Sequence, residues 1–89
     1  MSGRGLAEWA DITAELANRR LPLWRDRLKR PVEYEMPKLR EIAVAAHRAG
    51  TIGDESALQV IQSGIMAHEL AWLAEWHERE KIGKRGKLH

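Results

Sequence analysis

Two His-Glu pairs, His68-Glu69 and His77-Glu78, lie within the stretch AHELAWLAEWHERE at 67–80. Histidine beside glutamate on a helix is the raw material of a zinc site. Such a site, however, needs two imidazoles one turn apart on the same face. The position one turn beyond His68 is Trp72, which cannot ligate. His77 stands nine residues on, about 14 Å along a helix axis, too far for both rings to reach one ion. No metal or other cofactor is expected.

Acid–base and nucleophilic chemistry find no better footing. The serines are Ser2, Ser56 and Ser63, none of them in a nucleophile elbow, and GTIGDES lacks the lysine and spacing of a phosphate loop. A helical domain of 89 residues also has little room for a substrate-sized cleft. The chain reads as a non-enzyme.

Binding chemistry is better represented. RRLPLWRDRLKR at 19–30 sets Arg19, Arg20, Arg25, Arg27 and Arg30 around Trp24, a composition that could hold phosphates and stack on bases, or steer toward an acidic partner. GTIGDES also sits between two helical patterns like the turn of a helix-turn-helix. The second of those helices opens Asp54-Glu55 and offers no basic residue before Arg79, so it would present acid to phosphate. Any nucleic-acid contact is therefore expected to be non-specific.

The elements that must carry these residues are helical. Alanine, leucine, glutamate and arginine abound, Phe is absent, there is one Tyr, and four tryptophans must supply the aromatic bulk. Leu6, Trp9, Ile12 and Leu16 form a stripe at helical spacing, which predicts a first helix with these residues inward. Pro22 ends or turns that helix, leaving room for a short helical turn around Trp24 and Leu28. VEYE at 32–35 reads as a connector. Met36-Pro37 opens the next helix, with Leu39, Ile42, Ala43, Ala46 and Ala49 as its buried stripe and Gly50 as its C-terminal stop.

Asp54 then starts a long helix to about residue 80. One side carries Leu58, Ile61, Ile65, Trp72 and Trp76; a second carries Met66, Leu70 and Leu73. Gly64 is a point where this helix could bend. The fold expected is all-α: a small three-helix bundle, open to a short fourth helix, with a long C-terminal helix. Residues 1–80 form the helical domain, and 81–89, KIGKRGKLH, form a basic tail expected to be disordered.

Net charge is +2 but unevenly spread: seven basic against four acidic residues in 1–30, four against nine in 31–80, and four against none in 81–89. There is no cysteine, no secretory leader pattern and no run of apolar residues of membrane-spanning length, so a cytoplasmic location is expected. Two apolar sides on one helix exceed what two short neighbours can cover, and tryptophan is favoured at interfaces. Whether the tryptophans are core or surface is left open by the sequence.

Three features resemble the theta subunit family of bacterial DNA polymerase III, which includes a phage-encoded homologue. They are Leu6-Ala7 opening the first helix, Met36-Pro37 opening the second, and Ile65-Met66-Ala67-His68-Glu69-Leu70-Ala71 in the third. The order and the spacing from Leu6 to Pro37 are similar, as is the tail ending Gly86-Lys87-Leu88-His89. The chain departs from the family at Glu69, where the family has a basic residue, in a longer second connection, and in the Trp72–Trp76 pair.

The resemblance implies a non-catalytic three-helix protein that binds the proofreading exonuclease subunit of a replicative polymerase. On that reading Trp72, Leu73 and Trp76 bury against the partner with His68 oriented beside them. The alternatives are a small nucleic-acid-binding or phage-type regulatory or inhibitor protein acting through residues 19–30, and a homodimer whose long helices cover each other.

Overall fold

A computed structural model describes the backbone of residues 5–87 and the side chains of residues 5–82. Within these residues there are four helices and no strand: α1 (Leu6–Asn18), α2 (Leu21–Leu28), α3 (Met36–Arg48) and α4 (Asp54–Lys87). The short turn expected around Trp24 is α2. Helix α4 is the spine, and each of the other three packs against it. Its 34 residues span about 51 Å at the standard rise, which makes the molecule elongated, 62 × 23 × 19 Å.

Local chemistry accounts for the helix ends. Proline sits in the first turn of both α2 and α3, where a missing N–H leaves no bond unmade. Gly50 takes φ 73°, and the chain closes α3 in a Schellman arrangement: the Gly50 N–H donates to the His47 carbonyl (3.1 Å) and the Thr51 N–H to that of Ala46 (3.2 Å). Helix α2 ends at Lys29 in the same left-handed region, φ 57°, its N–H donating to the Arg25 carbonyl. Asp54 and Glu55 occupy the first turn of α4, where negative charge is favoured.

Helix α1 corrects the expected stripe. Its buried line is Ala10, Ala14 and Ala17, continued by Leu21, while Leu6 and Ile12 are half-buried and Trp9 and Leu16 stand 43% and 50% exposed. Alanine has no bulk to hold two helices apart, so the face that meets α4 is the one with the smallest side chains. A similar choice governs α3, where Leu39 and Ala43 are buried but Ile42 is 48% exposed and Ala49 lies outside. On α4, Ala57, Ile61, Ile65 and Trp72 are buried, Leu58 and Trp76 half-buried.

Three smaller expectations change. The connector between α2 and α3 is not inert, because Val32 and Tyr34, two apart in sequence, are both buried in the core. Helix α4 runs unbroken through Gly64. A Cβ there would lie 2.3 Å from Leu39 Cδ2, so the glycine serves the close approach of α3. The boundary placed at residue 80 falls inside α4, whose backbone stays helical to Lys87; residues 88 and 89 lie outside the described residues. The basic sequence of 81–87 has the charge sign a helix C-terminus favours.

Candidate partner-binding face

Helix α2 is fastened to α4 by a polar and aromatic clamp. Arg20 donates to Glu69 through two nitrogens, Nε to Oε2 at 2.8 Å and Nη2 to Oε1 at 2.9 Å, and the Trp24 indole Nε1 adds a third bond to Oε2 at 3.1 Å. The Arg20 guanidinium and the indole together hold the Glu69 carboxyl below its ordinary range, and the pairing with Glu69 raises Arg20 in turn. Further along, Arg30 grips Glu75 in the same fork, at 2.9 and 2.6 Å, and pulls that carboxyl down. Arg79 on α4 bonds both Glu75 and the Leu28 carbonyl at the end of α2.

The aromatic part of the clamp fixes what the tryptophans do. Trp72, expected as a partner contact, is 7% exposed and sits against Tyr34 (5.0 Å between rings), Trp24 (5.8 Å) and His68 (5.8 Å). It is core in this chain, packed among rings supplied by α2, the 32–34 connector and α4. His68 is half-buried, and its Nδ1 lies 2.8 Å from the Gly64 carbonyl. A carbonyl only accepts, so Nδ1 carries the proton.

Burial raises the Tyr34 hydroxyl above its ordinary value, and the Glu69 charge adds to the effect. That hydroxyl makes no hydrogen bond among the described residues. Leu73 and Trp76 remain half-exposed, Trp76 lying beneath the Arg27 guanidinium at 5.3 Å and beside His77.

Most of the basic stretch is engaged within the chain. Trp24 is 8% exposed and its indole N–H is spent on Glu69, so its ring is not available for stacking on a base. Arg20 and Arg30 are paired with α4, Arg19 is paired with Glu15 at 3.0 Å, and Arg27 lies over the rings of Trp24 and Trp76. Arg25 alone of the five is exposed without an ion pair or ring contact among the described residues. No group of three or more His, Cys, Asp or Glu gathers as a metal site among the described residues, and no helix there is long and apolar enough to cross a membrane.

What the clamp leaves outside is an apolar seam. Trp9 and Leu16 of α1 flank the line where α1 meets α4. At its upper end Leu6, Trp9 and Leu58 line a groove of 350 Å³. Lower down Leu16, Ala17, Ile65 and Met66 line a groove of 270 Å³ together with the polar Thr13, Gln62 and the Arg20–Glu69 pair. Met66 and Leu70, one turn apart on α4, are 61% and 58% exposed, and Leu23 on α2 is 50% exposed. Sequence reasoning placed Leu16 inward, since a stripe at helical spacing does not say which way it faces, and it gave Leu23 no role. Comparison with protein-family models, curated proteins and solved structures finds no match to this chain.

Proposed function

We propose that this chain is a non-catalytic protein-binding module that docks a partner along the seam of Leu16, Met66 and Leu70, with half-buried Leu73 and Trp76 further along α4. The observation that carries the reading is the exposure of Leu16 on α1 and of Met66 and Leu70 on α4, large apolar side chains on two helices that pack against each other. Water is a poor neighbour for such a surface: burying one leucine or methionine is worth about 1.5–3 kcal/mol. The clamp supports the same reading, since it gives the seam a rigid backing and cuts the entropy lost on docking.

The specific form proposed is an accessory role similar to that of the polymerase III theta family, in which the partner is a proofreading exonuclease subunit. Trp72 does not belong to the docking face in this version; Met66 and Leu70 take its place. Mixing the chain with such an exonuclease subunit and separating the products by gel filtration tests it. The expected result is a co-eluting complex that Met66→Glu and Leu70→Glu each weaken while leaving helicity intact. Separate elution of the two wild-type proteins would remove the exonuclease as partner.

A further inference from the structure

We infer that α4 pairs antiparallel with α4 of a second copy of this chain, about a two-fold axis at Leu70. The inference does not depend on which outside partner the seam takes. It comes from the face of α4 turned away from the bundle. Gln59, Ser63, Met66, Ala67, Leu70, Ala74 and His77 are all exposed and fall within one side of the helix at 100° per residue, with half-buried Leu73 at the edge. Not one of them is acidic, lysine or arginine, although 31% of the chain is charged. A solvated helix face of that length, about 27 Å, ordinarily carries charge.

This face is complementary to itself in one orientation. When two such helices run antiparallel about Leu70, Leu70 meets its own copy, Met66 comes beside Leu73, Ala67 beside Ala74, and Ser63 opposite His77. The large pairs stand on one side of the axis and the alanine pairs on the other, so the helices can approach closely while the large side chains interlock. A parallel pairing sets identical ends together. The antiparallel one sets the acidic first turn, Asp54 and Glu55, beside the basic segment 81–87 of the other copy, and it aligns the helix dipoles favourably. One helix pair with flanking Leu16 makes an interface at the small end of the range for specific complexes, so the dimer is expected to exchange with monomer. Because Met66 and Leu70 also line the seam, self-association and partner docking exclude each other.

Light scattering on the full chain alone, from about 1 µM to about 1 mM, reads the inference. The mass should climb from 10.2 kDa toward twice that value with concentration. Leu70→Glu should hold it at the monomer mass with an unchanged far-ultraviolet dichroism. The chain has no cysteine, so Leu70→Cys reports geometry directly: mild oxidation should give a covalent dimer, and an equal mixture of Ala67→Cys and Ala74→Cys should cross-link with each other. A monomer mass throughout, a dimer that survives Leu70→Glu, or a dimer in which Leu70→Cys does not cross-link would each overturn the pairing.

Discussion

Glu69 accepts three hydrogen bonds, two from Arg20 at the start of α2 and one from Trp24 within it, and the identity of this one residue organises much of the molecule. Removing it leaves the buried Trp24 indole N–H without an acceptor. Glu69→Ala is therefore expected to cost about 1–3 kcal/mol, with the half-exposed Arg20 adding little because solvent screens it. Its titration has a definite sign. In the unfolded chain Glu69 takes up a proton near the ordinary carboxylate value of 4.5, whereas in the folded protein it does so only at lower pH. The unfolded state binds more protons across that window, so stability is full above it and is lost as pH falls through it. Thermal unfolding followed from pH 6 downward should show Tm dropping below about pH 4.5, and less steeply in Glu69→Gln. The tryptophans separate by the same physics. Trp72→Ala empties the centre of an aromatic cluster and is expected to cost about 3–5 kcal/mol, most of what a small domain has. Trp76→Ala, at a half-exposed site, should cost well under half of that in urea denaturation. Four-residue spacing places Trp72 and Trp76 on one helix side; the position of Trp76 nearer the end of the long helix already marked it as the more exposed of the two, and Trp72 is the one that α2 roofs over.

The helices themselves were legible because their punctuation is chemical: Pro37 at a start, Gly50 at a stop, Asp54 at the next start. The inward face of α1 was not legible. Spacing analysis weights large apolar residues, so it selected Leu6, Trp9, Ile12 and Leu16. Packing selected Ala10, Ala14 and Ala17, since α1 gains more contact by lying close to α4 than by filling a wide gap with leucine. Gly64 follows the same logic from the other side of the spine. A Cβ at that position would stand 2.3, 2.8 and 3.1 Å from three atoms of the buried Leu39 side chain. Gly64→Ala would gain about 1 kcal/mol in helix propensity and lose about 1–3 kcal/mol to overpacking. A net fall in Tm is expected, with Leu39→Ala in the same chain relieving the overpacking part of the penalty. A rise in Tm on the single substitution would contradict the close α3–α4 approach.

At the scale of the whole molecule, the uneven charge of the sequence has a structural meaning. The basic 19–30 stretch and the acidic half of α4 are two sides of one fastening, Arg20 to Glu69 and Arg30 to Glu75, so much of the charge that looked available to phosphates is spent internally. The apolar side chains of the seam are what this arrangement leaves for an outside surface. The docking proposed there would be driven by apolar burial and should respond weakly to salt. A phosphate contact made by several arginines would instead weaken about a thousandfold or more between roughly 50 and 200 mM salt. The decisive measurement is a binding isotherm of the proofreading exonuclease subunit with this chain and with its Leu70→Glu variant, each at the two salt concentrations. The natural chain is expected to bind with an affinity that changes little with salt, and the variant to lose about tenfold or more. No binding, equal binding by both chains, or a steep fall with salt would contradict the proposal.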